Sequence, residues 1–122
     1  MQTPDFLRSD ARDYLPLTES TFFILLSLAM KPRHGYGVMK EVLALSRGRI
    51  NLSAGTLYSA LKRLLEQGWI TRLDEGETFE NAGRPHKTYA LTELGRSILN
   101  AEIARLDSLV QVAHLQTEER QV

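Results

Sequence analysis

A mainly α-helical chain carrying a small β hairpin is the fold class this sequence predicts, and three observations carry it. Apolar residues recur at helical spacing from Thr18 to Leu65 and again from Leu94 to Ala113. Between those regions, "WITRL" and "KTYAL" shift to a period near two and are rich in aromatic and β-branched residues. Gly and Pro punctuate the boundaries, at Pro16, Pro32, Gly48, Gly68 and Pro85. With 122 residues, 43% hydrophobic and 25% charged, the chain suits a single domain with a modest core.

Each element follows from local signals. "TPDFLRSDARDYL" has Thr3 as N-cap, Pro4 at the first helical position and Asp5 in the first turn, which predicts a short N-terminal helix. "TESTFFILLSLAM" follows Pro16, is capped by Thr18 with Glu19 near its positive end, and stops at Lys31 before Pro32. It is apolar almost all round, so it should be buried. "GYGVMKEVLALSRG" opens on glycines, carries Val38, Val42 and Leu45 on one stripe, and has Gly48 beyond its end.

The fourth segment, "SAGTLYSALKRLLEQGWI", is two-faced. Ser53 is its natural N-cap, and Leu57, Leu61 and Leu64 follow i, i+4, i+7 spacing, with Leu65 beside them. At about 100° per residue, Gly55, Ser59, Lys62 and Glu66 fall on the opposite side, with Tyr58 at one margin and Thr56 and Arg63 at the other. Phosphates suit the start of such a helix, where free N–H groups and the dipole favour an anion and Gly55 leaves room for close approach.

Charge is segregated although the formal net charge is +0. Residues 16–73 carry eight basic side chains against three acidic, and residues 74–83 carry four acidic and none basic. A basic middle between acidic flanks is an oriented distribution of the kind a nucleic-acid partner requires, although an ordinary solvated surface reads similarly. Two strands joined by the turn-rich "DEGETFENAGRPH", following three helices whose third has an exposed polar face, describe a winged helix-turn-helix. In that arrangement the third helix enters the major groove, its partner helix crosses the backbone, and the hairpin wing touches neighbouring phosphates.

Three segments, "HGYGVMKEV", "GTLYSALKRLLEQGWI" and "GRPHKTYALTELGRSIL", resemble in order and spacing the signature segments of PadR-type transcriptional regulators, over most of Leu17 to Leu99. The resemblance implies a winged-helix dimer that represses promoters, with Thr56 and Tyr58 in the DNA-reading helix and Gly83, Arg84 and Lys87 in the wing. Ser59 stands where that family usually has proline, and Leu65 where it often has glutamate. The acidic tip, Asp74, Glu75, Glu77 and Glu80, is unfavourable beside phosphate, which puts the wing contacts on its basic return arm. The candidate DNA contacts are therefore Ser53, Gly55, Thr56, Tyr58, Ser59, Lys62, Arg63, Arg84, His86 and Lys87.

From Thr92, an N-cap, no glycine or proline after Gly95 interrupts the chain. Leu99, Ile103, Leu106, Val110 and Ala113 recur at alternating four- and three-residue spacing, a heptad seam. Leu94, Ile98, Leu109 and Val112 form a second apolar edge. Self-association buries this surface most simply, the alternative being a helix folded back on its own domain. PadR-type proteins with short C-termini resemble this design. Some of them bind flat aromatic compounds through aromatic residues of the last helix, and here that helix has none.

The expected organisation is an extension over residues 1–15, a winged helix-turn-helix DNA-binding domain over 16–91, a dimerisation helix over 92–116 and a tail over 117–122. The expected partners are double-stranded DNA and a second copy of the chain, and nothing in the residues identifies a small-molecule effector. No cofactor or metal is expected: His34, His86 and His114 lack ligand spacing, and Gly35 and Gly37 match neither nucleotide fingerprint. Ser53 has a capping role without a neighbouring base, which argues against an enzyme. The absence of cysteine and of any apolar run near the roughly 20 residues of a membrane span fits a cytoplasmic protein. A winged helix that binds protein instead of DNA, through the face of Tyr58 and Lys62, is the alternative of a different class.

Overall fold

The computed structural model describes residues 10–74 and 87–119. A short 3-10 helix, Ala11–Tyr14, precedes α1 (Glu19–Ala29), β1 (Arg33–His34), α2 (Gly35–Leu45), α3 (Ala54–Gln67), β2 (Ile70–Asp74), β3 (Lys87–Leu91) and α4 (Glu93–Glu119). The fold is mostly helical with a small antiparallel sheet, a winged helix followed by a long C-terminal helix. Thr3 to Ser9, where the sequence predicts the start of an N-terminal helix, lie outside the described residues. The described part of that segment is the 3-10 helix, capped by the Asp10 side chain on the Arg12 N–H.

The N-caps are those expected from the sequence, because each is a bond made within three residues. Thr18 accepts from the Thr21 N–H at the start of α1, Ser53 from the Thr56 N–H at the start of α3, and Thr92 from the Gly95 N–H at the start of α4. The α3 helix ends on Gly68 in the left-handed region, φ 79°, which its missing Cβ permits. Between α2 and α3 the chain turns through Arg47 and Gly48, both at positive φ, and the buried Ser46 hydroxyl accepts from the Ile50 N–H across the turn.

One core holds these pieces together. Ile24, Leu25 and Leu28 of α1 meet Val38 and Val42 of α2, Leu57, Leu61 and Leu64 of α3, and Ile98 and Leu99 of α4, all buried. Each such side chain contributes roughly 1.5–3 kcal/mol on burial. The α1 helix is less enclosed than its apolar sequence predicts: Phe22, Phe23 and Leu26 are only partly buried. They pack on the rim of the core, with the two Phe rings edge to face.

The sheet has three strands in the order β1-β3-β2, one more than the hairpin read from the sequence. The added strand is two residues long and pairs Arg33 with Tyr89 and His34 with Thr88. Strands β2 and β3 pair antiparallel from Ile70 with Leu91 to Asp74 with Lys87. Trp69 sits buried just before β2 with its ring edge-on to Tyr14. The sheet is bolted to α4 by the Thr92 hydroxyl, which donates to the Gly68 carbonyl at 2.6 Å, and by the Thr92 N–H on the Trp69 carbonyl.

Candidate nucleic-acid interface

The apolar side of α3 is consumed by the core, so its other side is presented outward. Leu57, Leu61 and Leu64 are fully buried, while Gly55, Thr56, Ser59, Lys62 and Arg63 are exposed and Tyr58 is 49% exposed. The helix start borders a groove of about 660 Å³ shared with the start of α1, lined by Thr18, Ser20, Thr21, Ser53, Gly55, Thr56, Ser59 and Arg63 among others. Its polar lining is hydroxyls and backbone, with one guanidinium. Such a surface hydrogen-bonds to phosphate or to base edges without presenting a like charge to DNA.

Individual residues are held in specific ways. The Ser53 hydroxyl both caps α3 and donates to the Thr56 hydroxyl at 2.9 Å, so these two side chains are a fixed pair. Arg63 donates to the Thr21 hydroxyl at 3.1 Å, which ties α3 to α1 and leaves the remaining guanidinium N–H groups for another partner. A Cβ on Gly55 would meet nothing within 4 Å, so the opening of α3 is unobstructed. Lys62 has no ion pair among the described residues. Arg49 is engaged within the fold, its guanidinium lying 3.1 Å from the Glu19 carboxylate.

Tyr58 leans across to the start of α2. A Cβ on Gly35 would lie 2.6 Å from the Tyr58 hydroxyl and 2.9 Å from its ring, so glycine there is what lets the ring settle. Burial raises the Tyr89 hydroxyl above its ordinary value, with Tyr58 adding to the shift and Arg72 opposing it. Tyr58, itself on α3, thus lies over Gly35 at the start of α2. On the wing, Lys87 is exposed opposite Asp74, whereas Gly83, Arg84 and His86 lie outside the described residues, as do Glu75, Glu77 and Glu80.

The profile of the Transcriptional regulator PadR-like family matches residues 24–101. The chain belongs to that family. Its PadR-like fold recurs in a PadR family transcription regulator from Clostridium difficile, 25% identical, covering 82% of this chain and 99% of that one with a TM-score of 0.66. A PadR-like transcription factor from Bacteroides fragilis is 26% identical, covering 77% of this chain and 85% of its own, with a TM-score of 0.64. Bacillus subtilis PadR, solved in complex with operator DNA, shares the fold at 22% identity and a TM-score of 0.60, covering 72% of this chain and 48% of that one. Comparison with curated protein sequences gives no match.

In this PadR-like chain the apolar stripe of α4 divides at Glu102. Leu99, expected on the dimer seam, is instead 2% exposed within the chain's own core, and its neighbour Ile98 is buried with it. That part of the helix lies against the winged-helix head, residues 16–91, so its apolar residues are satisfied internally. The exposed stretch begins at Ile103 and runs through Leu106, Leu109, Val110 and Val112, with Ala113 also exposed.

Glu102, which the sequence reading did not single out, is buried at the division. It accepts from the Leu17 N–H at 2.7 Å and from the Arg105 guanidinium. Those bonds, Arg105 first, hold its carboxyl below its ordinary value against a desolvation that pushes it up. The sequence signal was an acid one turn beyond Ile98, on an otherwise apolar edge, with an arginine three residues on. Among the described residues no group of three His, Cys, Asp or Glu could hold a metal, and no helix is long and apolar enough to cross a membrane.

Proposed function

We propose that this chain is a sequence-specific regulator that binds double-stranded DNA as a homodimer, acting as a repressor on a palindromic operator. The observation that carries the reading is the outward face of α3: mainly uncharged or basic with Glu66 near its end, capped by Ser53 and open at Gly55, with Lys87 exposed on the wing. Ser53, Gly55, Thr56, Tyr58, Ser59, Lys62 and Arg63 meet the major groove and its margins, and Arg84, His86 and Lys87 meet phosphates beside it. Residues 16–91 serve as the DNA-binding unit and 92–116 as the dimerisation helix, with 1–15 an extension and 117–122 a tail. A cytoplasmic location fits a regulator of this kind.

The dimer reading rests on the exposed apolar stretch of α4. Leu106 is 37% exposed and Val110 52% in the single chain, and a second copy of the helix is the covering of matching shape. Leu99 is no longer part of that proposal, since the head already covers it.

Footprinting on the DNA upstream of the protein's own gene, followed by titration at several salt concentrations, tests the reading. Binding that weakens steeply with salt, with Lys62→Ala lowering the slope of log K against log salt by about 0.9, is the expected result. Salt-indifferent association with a protein partner and no footprint would favour the adaptor alternative.

A further inference from the structure

The guanidinium groups of this fold are held in more than one way, and the difference bears on Arg63. Arg12, Arg49 and Arg105 each lie against a carboxylate, of Asp10, Glu19 and Glu102 in turn. Such a pair fixes the guanidinium but also spends its charge on an acid of the same chain. Arg63, on the outward side of α3, has no ion pair among the described residues. Its guanidinium donates instead to the Thr21 hydroxyl of α1 at 3.1 Å, so a neutral group holds it.

Thr21 is a firmly placed acceptor. It is the third residue of α1 and 6% exposed. Its N–H donates to the Thr18 hydroxyl at 3.1 Å, and its own oxygen accepts from that hydroxyl at 3.0 Å as well as from Arg63. A hydroxyl oxygen has two lone pairs, and these two donors fill both. Glu19, two residues earlier and the acid of this helix start, is answered by Arg49 at 3.1 Å. Thr21 and Arg63 both line the groove between α1 and α3.

Two physical consequences follow. An arginine that DNA itself must order loses rotamer freedom on binding, whereas one already ordered in the free protein has lost it on folding. A carboxylate in place of the Thr21 hydroxyl would order the side chain at the expense of its charge, and a neutral oxygen leaves the full positive charge and the remaining N–H groups of the planar fork. We propose that Thr21 is a positioning residue for DNA binding: it acts through Arg63, aiming the guanidinium along the α1–α3 groove without neutralising it. The proposal rests on the DNA-binding reading above. It goes beyond it by giving a buried residue of α1 a part in affinity.

The experiment measures binding of the full chain to a duplex from upstream of its own gene across a salt series. Thr21→Val keeps the β-branched shape and removes the hydroxyl. It should bind about fivefold more weakly, the cost of ordering one rotamer-rich side chain, with the wild-type salt slope because the charge is still there. Arg63→Ala should lower the slope by about 0.9, and adding Thr21→Val to it should weaken binding no further. Thr21→Ser, which returns the hydroxyl, should restore wild-type binding. Arg63→Lys keeps the charge and loses the planar fork, so it should behave like Thr21→Val. Circular dichroism melts above the assay temperature verify that each variant is folded. Should Thr21→Val fail to fold, Arg63→Lys carries the test.

Thr21→Val at wild-type affinity, or an equal loss from Thr21→Val with and without Arg63, overturns the proposal, as does Arg63→Lys with undiminished binding. An unchanged slope in Arg63→Ala also overturns it, while a lowered slope in Lys62→Ala, measured in parallel, leaves the DNA reading standing. If the wild type does not bind the duplex in a salt-dependent way, the DNA reading falls and takes the role of Thr21 with it.

Discussion

Gly55 and Gly95 show how one residue type serves opposite ends. At Gly95 a Cβ would collide with the Trp69 carbonyl oxygen, the same oxygen that accepts from the Thr92 N–H, so this glycine is what allows α4 to start against the sheet. At Gly55 a Cβ would point into open space. Gly95→Ala must push helix and strand apart, and we expect it to cost about 1–3 kcal/mol in urea unfolding. Gly55→Ala should instead raise stability by up to about 1 kcal/mol, since alanine is the better helix former and nothing opposes it. If DNA approaches the start of α3 closely, the same stabilised variant binds DNA more weakly. A Gly55→Ala variant that is both more stable and undiminished in binding would remove Gly55 from the interface.

The α4 helix is attached to the head along its first turns and leaves it beyond Glu102. The attachment is built from Thr92 on Gly68, Arg96 on the Ala29 carbonyl at 3.1 Å, and Glu102 on the Leu17 N–H, so it fixes the angle at which the helix departs. Glu102 makes that attachment sensitive to acid. Its carboxyl titrates lower in the folded chain than in the unfolded one, chiefly through Arg105, so the unfolded chain binds more protons in the window between the two values. Its stabilisation is present in full above the ordinary carboxylate value and is lost as pH falls through the lowered one. Glu102→Gln should cost about 2 kcal/mol at neutral pH, because an amide replaces a charged acceptor. Its stability should also fall less than the wild type's between pH 6 and pH 3, about the span over which a carboxylate protonates. Parallel pH series of denaturant midpoints check both, and identical slopes in the two proteins would deny Glu102 this role.

A single winged helix makes few contacts with DNA, and the proposed dimer would double them. The 27 residues of α4 span about 40 Å at 1.5 Å per residue, long enough to carry an exposed apolar stretch beyond the head. Two heads joined through that stretch can engage half-sites roughly 34 to 36 Å apart, and joining them raises affinity through effective concentration. Leu106 lies mid-stretch, so Leu106→Asp would bury a carboxylate at the seam and favour monomers. The head should still fold, because Leu25, Leu57, Leu61 and Ile98 are buried without the partner. Sedimentation should then report a monomer, and gel shifts much weaker binding to a palindromic operator. A variant that stays dimeric, or a monomer with full operator affinity, would sever the link between this helix and paired heads.

By itself the sequence determined what depends on neighbours along the chain. The caps at Thr18, Ser53 and Thr92, the left-handed end at Gly68 and the two faces of α3 are all set by interactions within about four residues, so spacing and residue type suffice to read them. Tertiary structure decided what depends on residues far apart. Strand β1 exists because Arg33 finds Tyr89, and two residues carry no periodicity from which to infer it. Glu102 is buried because the Leu17 N–H, 85 residues away, needs an acceptor there. Leu99 and Ile103 are alike in a heptad, and only the extent of the head places the first in the core and leaves the second exposed. The same holds for Tyr58 on Gly35: periodicity tells which side of a helix is polar, but which surfaces adjoin is settled only when the helices pack.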